Sequence, residues 1–469
     1  MAENRTFLWF SDIHLDPYYG TETAVLRDKM GFGENCQSPS KLTTHPLGDF
    51  GCDSPPELLD SLLQSAATQA KPDFVVITGD FVRHGNDILL PSPTIATQEI
   101  LYTVSELIRT YLDAPVVPAV GNNDVTPDYY MDIQQPDDML NMITRGLMPL
   151  WSEDNQEGMA AKAMFQEQFP QGGYYAHNVT STITVLSLNT VLYATNRQPQ
   201  YTEVDVDPLG QFQWMKEQLE MARQSQRNVF LIGHIPPTIG SYRHTQLWHE
   251  GYLETYYNMV QNYSDLVQAQ LFGHIHTDEF RVHNTFPLFL TASFTPIYGS
   301  NPSYRVVTYD DKTGALLDYH VYYLDLTATS LTNATSVWQR GPSFTQAYGV
   351  PDMSLQSLKT IVEDLQNSTD TSIYWEAFLS RLHVYTHGSE VCDATCRKEW
   401  ACTLSSMTAQ QYHGCLKESS GRSGMVAALI VVVLAVGLAI IWGRNCWKRR
   451  HYSQTVEHHV AEEELPPLS

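Results

Sequence analysis

Residues 6–14 read TFLWFSDIH. An aromatic, β-branched apolar run predicts a buried strand over 6–11, and it ends directly on Asp12 and His14. The same event recurs along the chain. The strand predicted at 73–78 (DFVVIT) runs into Gly79-Asp80, and the one at 115–120 (PVVPAV) into Gly121-Asn122-Asn123-Asp124. The strands predicted at 228–233 and 269–273 run into Gly233-His234 and Gly273-His274-Ile275-His276. Taken singly each motif is weak, since a Gly-Asp pair is most often a turn and a lone His near a strand end is most often a hydrogen-bonded structural residue. Five in succession, each where a strand gives way to a loop, mark the crevice in which open α/β sheets gather their ligands. The donors are carboxylates, an amide and imidazoles, a set that suits Zn²⁺, Mn²⁺ or Fe. The i, i+2 spacing of Asp12/His14 and His274/His276 puts each pair on one side of an extended segment.

Outward from these motifs, strands are also expected near 174–179, 182–188, 286–292 and 304–309, and helices over 57–70, 96–112 and 209–226. The two prolines of 115–120 place that strand at a sheet edge or a bulge. A long polar, helical stretch fills the interval to about 170. Strand and helix alternate, which predicts an α/β sandwich with helices outside. Residues 353–415 read as a helical, cysteine-bearing C-terminal subdomain. No internal repeat is present.

The chain of 469 residues is 43% hydrophobic and 17% charged, enough to bury a large core. Its 28 Lys and Arg against 52 Asp and Glu leave a formal charge of −24, so no nucleic-acid-binding surface is expected. Anionic substrates stay open, because bound metals reverse the local field. Four cysteines, Cys392, Cys396, Cys402 and Cys415, crowd together; a four-Cys zinc knot and two disulfides both fit that crowding. Secretory signs favour disulfides. Cys36 and Cys52 and the glycosylation sequons at Asn4, Asn178, Asn262, Asn333 and Asn367 all precede the uncharged run Met425–Trp442, with Cys446 after it. That 18-residue run reads as a transmembrane helix. Arg444, Lys448, Arg449 and Arg450 place residues 443–469 as a short cytoplasmic tail. The expected molecule is a single-pass membrane protein with a lumenal or extracellular body, at the cell surface or in a lysosome or vacuole. No signal peptide is visible before the first strand, so a leader is expected to be missing from this sequence.

The order D-x-H, G-D, G-N-x-D, G-H, G-H-x-H resembles the calcineurin-like metallophosphoesterases over roughly residues 6–310. SDIHLDPYY, CDSPPELLDSLL, GHIPP, FGHIHTDEF and NPSYRV further resemble the acid sphingomyelinase-like phosphodiesterases. The resemblance implies a four-layer metallophosphoesterase-like β-sandwich flanked by helices over residues 1–320, and a small helical, disulfide-bonded subdomain over 321–420. It implies two divalent metal ions, Zn²⁺ foremost. One would be held by Asp12, His14, Asp80 and His276, the other by Asp80, Asn122, His234 and His274, with Asp80 bridging. It also implies disulfides Cys392–Cys396 and Cys402–Cys415; Cys36 with Cys52 is expected as a further pair. The activity implied is hydrolysis of phosphodiester or phosphoanhydride bonds, on a phosphorylated small molecule, polyphosphate or a phospholipid.

Two catalytic candidates remain. His84 either contacts the substrate phosphate, as its equivalent does in that subfamily, or is a surface-loop histidine. Asn123 stands where the family usually has His; an amide can donate to phosphate but cannot deliver a proton. The G-N-N-D sequence, with R-H-x-N-D at Arg83–Asp87, also resembles fungal vacuolar endopolyphosphatases. The leaving group is then acidic enough to need no proton, or His84 supplies one. A catalytically impaired, membrane-anchored binding protein on the same fold is the reading from another class. The intact metal-binding positions disfavour it, and a purely structural ectodomain leaves the five motifs unexplained.

Overall fold

In the computed structural model, residues 4–21, 36, 38, 40–86, 92–200, 205–283, 285–332, 337–367, 372–386 and 392–417 are described. The helices are α1 (Lys41–Thr44), α2 (Pro56–Gln69), α3 (Pro93–Tyr111), α4 (Asp137–Leu147), α5 (Gln156–Gln168), α6 (Gln211–Gln224), α7 (Glu250–Asn262), α8 (Leu326–Thr332), α9 (Phe344–Tyr348), α10 (Leu355–Asn367), α11 (Ile373–Leu382) and α12 (Ala394–Leu404). The strands are β1 (Asn4–Phe10), β2 (Val75–Ile77), β3 (Val116–Pro118), β4 (Tyr175–Asn178), β5 (Ile183–Ser187), β6 (Asn228–Ile232), β7 (Val267–Phe272), β8 (Glu279–Val282), β9 (Pro287–Leu290), β10 (Ser303–Asp310), β11 (Leu316–Leu324) and β12 (Trp338–Arg340).

Two mixed six-stranded sheets form, ordered β12-β11-β10-β1-β2-β3 and β4-β5-β6-β7-β9-β8. Their facing sides pack through aromatic rings, with Phe230 of the second sheet 5.8 Å from Phe7 and 6.2 Å from Tyr309 of the first. α2 covers the outer face of the first sheet, where Trp338 Nε1 donates to Ser61 Oγ at 2.8 Å. On the second sheet α6 buries Phe212, Met215 and Leu219. Two sheets between helices give the four layers implied by the resemblance. β3 lies at a sheet edge, as its prolines require.

The topology gathers the five motifs. β1, β2 and β3 run parallel and in register, Phe10 opposite Ile77 and Ile77 opposite Pro118. β6 and β7 are likewise parallel. All five strands therefore deliver their following loops to one rim of the sandwich. The C-terminal part of the chain belongs to the same sandwich. β10 pairs antiparallel with β1, and β11 and β12 follow it, so position 320 falls inside β11.

Residues Met1–Tyr412 form one compact unit; a second, His413–Ser469, is described only over 413–417. Cys36 is bonded to Cys52 and Cys392 to Cys396, and Cys402 and Cys415 are disulfide-bonded as well. Such bonds persist in oxidising compartments. Asn178, Asn262 and Asn367 are exposed, and Asn333 lies outside the described residues.

The expectation of a single-pass membrane protein, attached to the membrane through one C-terminal helix, is corrected. Among the described residues no helix is long and apolar enough to cross a membrane. The 19-residue α3 is amphipathic, burying Ile100, Leu101, Val104 and Ile108 on one face, while Glu99, Glu106 and Arg109 make it a poor bilayer span. Residues 425–442 and the tail 443–469 lie outside the described residues.

The Cys36–Cys52 bridge spans a sequence separation of 16, and closing a loop of that length is worth about 3 kcal/mol. The double substitution Cys36→Ser, Cys52→Ser should lower unfolding stability by about that amount in a denaturant titration. Non-reducing peptide mapping should recover Cys392 joined to Cys396; a free thiol there would contradict the pairing.

Candidate metal centre

At the rim the loops after β1, β2 and β7 make turns that most residues avoid. Asp12, His14, Asp80, His274 and His276 all have positive φ, between 44° and 73°. A non-glycine residue in that region is uncommon, and such strain persists where the surroundings over-determine it, as at functional sites. The glycines beside them have no room for a side chain. A Cβ on Gly121 would lie 2.0 Å from Asp80 Oδ1, and one on Gly273 would lie 2.1 Å from Ser11 Oγ and 2.7 Å from Asp12 Oδ2.

Backbone and carboxylates lock the loops together across the sandwich. Asp12 N–H donates to Gly79 O and His14 N–H to Asp80 O, each at 3.0 Å. His274 N–H donates to Asp12 Oδ1 at 3.1 Å. The fully buried Asp124 accepts from the backbone N–H of Asp80, Phe81 and Gly121 at 2.8–2.9 Å. Burial and the charge of Asp80 push Asp124 up to about 7.

The side chains named from the sequence converge. His14 Nδ1 is bonded to Val82 O at 2.9 Å and His234 Nδ1 to Thr78 O at 2.8 Å, which turns both Nε2 atoms inward. His14 Nε2 lies 3.4 Å from Asp80 Oδ2 and 3.9 Å from Asp12 Oδ1. His276 Nε2 lies 3.3 Å from Asp12 Oδ1, and His234 Nε2 is 3.1 Å from Asp80 Oδ2 and 3.0 Å from Asn122 Oδ1. Asn122 is oriented by its amide nitrogen, which donates to Asp128 Oδ1 at 2.8 Å and leaves the oxygen facing the site. Three groups have ligand atoms close enough to share an ion: Asp12, His14 and Asp80; Asp80, His234 and His274; and His14, His84 and His276. Asp80 is common to the first two.

The electrostatics favour a cation. Burial and His84 push His14 down to about 3, and burial and His234 do the same to His274, so both imidazoles keep a lone pair. Burial works against charge on Asp12 and Asp80, but the adjoining His276 and His234 hold them below the usual carboxylate range. The buried His14 Nε2 has no hydrogen-bond partner. An unpartnered imidazole nitrogen facing two ionised carboxylates is a donor set arranged for a metal. These residues fit divalent cations.

The two catalytic candidates fall differently. His84 stacks on His14 with ring centroids 3.9 Å apart, and it also lies within ion-sharing reach of His14 and His276. Its Nδ1 and backbone N–H are held by Asp53, at 2.9 and 2.8 Å, and Tyr298 OH lies 3.4 Å from Nε2. Burial opposes charge on His84, yet the contact with Asp53 raises its pKa above the ordinary value. Asn123 instead turns toward Asp80: its side-chain amide donates to Oδ2 and its backbone N–H to Oδ1, both at 2.8 Å. Sequence reasoning assigned no role to Asp53, Asp124, Asp128, Tyr129 or Tyr298. Asp124 was visible as the last residue of its motif, whereas Tyr129, whose OH lies 3.3 Å from His274 Nε2, gave no signal.

Two family models match the chain: calcineurin-like phosphoesterase over residues 5–278, and the acid sphingomyelin phosphodiesterase C-terminal region over 283–422. A human acid sphingomyelinase-like phosphodiesterase 3b is 28% identical over 465 residues, covering 94% of this chain and 96% of the relative. A human cyclic GMP-AMP phosphodiesterase is 27% identical, covering 88% and 90%. A Dictyostelium discoideum sphingomyelinase phosphodiesterase D is 28% identical, covering 74% and 78%.

Proposed function

This chain belongs to the calcineurin-like phosphoesterase family, and from that premise we propose that it is a two-metal phosphodiesterase whose ions are Zn²⁺. Asp12, His14, Asp80 and His276 would hold one ion; Asp80, Asn122, His234 and His274 would hold the other. The observation that carries this reading is the buried, unpartnered His14 Nε2 set against Asp80 and Asp12. Bound there, two cations would supply Lewis acidity to phosphate oxygens and lower the pKa of water.

The chain's own residues do the rest. The Val82 and Thr78 carbonyls fix the tautomers of His14 and His234. Asp128 keeps the Asn122 oxygen inward. Asn123 holds the Asp80 carboxylate in place. His84, its Nδ1 held by Asp53, would offer Nε2 to the substrate and its leaving oxygen.

The relatives' names point to dinucleotide and sphingolipid diesters. The full chain is expected to hold close to two transition-metal ions by elemental analysis and to hydrolyse an aryl phosphodiester. Chelation should abolish turnover and Zn²⁺ restore it. A panel of cyclic dinucleotide, sphingomyelin and inorganic polyphosphate then assigns the substrate class, with fastest cleavage of polyphosphate favouring an endopolyphosphatase. Turnover by metal-free protein would overturn the two-metal reading.

A further inference from the structure

We infer that the turn Arg381–Tyr385, which ends α11 in the C-terminal part of the chain, positions the metal-binding loop Gly273–Asp278 through the relay His383–Ser300–His276. The inference rests on the two-metal reading and extends it to residues far from the five motifs.

The relay is read from hydrogen-bond polarity. Ser300 Oγ donates to His276 O at 3.1 Å and lies 3.1 Å from His383 Nδ1. A hydroxyl has one proton, so with that proton on the His276 carbonyl, His383 Nδ1 must be the donor to Ser300. The backbone of a candidate metal ligand is thereby tied to an imidazole 107 positions further on, as their numbers show.

A second tie lies two residues along. Asp278 N–H donates to Leu382 O at 3.0 Å. The Asp278 carboxylate accepts from Arg381 Nη2 at 3.1 Å, from Arg305 Nη2 at 2.7 Å and from Tyr319 OH at 2.6 Å. A third holds Ser300 from the other side. Asn301 N–H donates to His383 O at 3.4 Å and its amide to Val384 O at 2.9 Å. Arg381, Asp278, Ser300, Asn301 and Val384 are all buried, none more than 4% exposed.

The turn is itself strained, with Val384 and Tyr385 at φ of 52° and 58°. For a β-branched residue that is an outlier, and strain of this kind persists only where the surroundings enforce it. The strained turn meets the strained loop that carries His274 and His276 at φ of 73° and 63°. A helix docked only for packing needs none of these bonds. Here each one ends on residues 276–278 or on the Ser300–Asn301 pair that holds them. Partners that hold a ligand's own side chain typically cost 10–100-fold in metal affinity when removed; the relay grips His276 by its backbone, so its loss is expected at the lower end of that span.

The test is a Zn²⁺ titration of the metal-depleted full chain against a chelating indicator, with steady-state kinetics on an aryl phosphodiester. Ser300→Ala and His383→Leu should each weaken one of the two ions by about 10-fold and leave the other unchanged. kcat should recover in excess Zn²⁺ with KM unaltered. His383→Asn, whose amide N–H can stand where Nδ1 stands, should bind both ions nearly as the parent does. Tyr256→Phe is the control: it removes a buried hydrogen bond to Gln270, 2.8 Å long, and should lower Tm with both ions bound normally. If the parent binds two ions and both Ser300→Ala and His383→Leu bind them equally tightly, the inference is overturned while the two-metal reading stands. A parent binding fewer than two ions overturns that reading first.

Discussion

Asp80→Asn is expected to remove both metal ions and lower kcat/KM by more than the roughly 10–100-fold that loss of an outer-shell partner costs. The substitution keeps size and shape, so the effect comes from charge and from polarity of hydrogen bonding. Around the Asp80 carboxylate stand Asn123 N–H on Oδ1, Asn123 Nδ2 on Oδ2, and the Nε2 atoms of His234 and His14 at 3.1 and 3.4 Å. An amide offers one acceptor where the carboxylate offers two, and its NH₂ would face a donor whichever way it turns. Stability should also fall in metal-free protein. Asp80 repels Asp12 and pushes Asp124 up, and burial opposes its charge, yet His234, His14 and the Asn123 N–H hold its pKa well below the ordinary value, so the ionised carboxylate stabilises the fold and neutralising it costs stability. The expected pattern is a metal-free Tm below that of the parent, with the Zn²⁺-induced rise in Tm lost. A variant that still gains the parental Tm shift from Zn²⁺ would place the bridging role elsewhere.

The sequence was legible where a buried run carried its own punctuation. β1, β2, β3, β6 and β7 each carry an apolar run, and a site residue follows shortly after each strand ends: Asp12, Asp80, Asn122, His234 and His274. β11 was not legible. LLDYHVYYL interleaves Asp318 and His320 with apolar residues, and these polar side chains are taken up by a hydrogen bond to Thr345 and one to Gly341 O. α7 buries Tyr252, Leu253, Tyr256 and Val260, a helical stripe that its aromatic, partly strand-like composition masked. Within the site, ligand types follow from local motifs, but their supports are long-range. Asp53 reaches His84 from 31 positions away, and His383 reaches Ser300 from 83. Pairings across such distances come from sheet order and helix docking, which no local periodicity encodes. The polarity of Asn123 was readable and its partner was not, because Asp80 meets it only where parallel β2 and β3 end side by side.

His84→Ala is expected to slow cleavage of alkyl diesters by roughly 10²–10⁴-fold, the span typical of a positioned general acid, while p-nitrophenyl diesters lose much less. Asn123 cannot fill the part, since its amide has no proton to give and is spent on Asp80. His84 has the required geometry. Asp53 anchors Nδ1 at 2.9 Å and raises its pKa, and Nε2 stands near His14 and His276 beside the Tyr298 hydroxyl. An alkoxide leaving group needs that proton in the transition state, whereas a nitrophenolate or a terminal phosphate leaves without it. The measurement is log kcat/KM against leaving-group pKa. The parent should give a shallow line and His84→Ala a steep one, the two meeting at the acidic leaving groups. Asp53→Asn should fall between them, because the imidazole remains but loses the carboxylate that orients it. Parallel lines for parent and His84→Ala would mean that His84 binds phosphate without delivering a proton. The absence of a histidine at position 123 would then restrict the enzyme to leaving groups that need none.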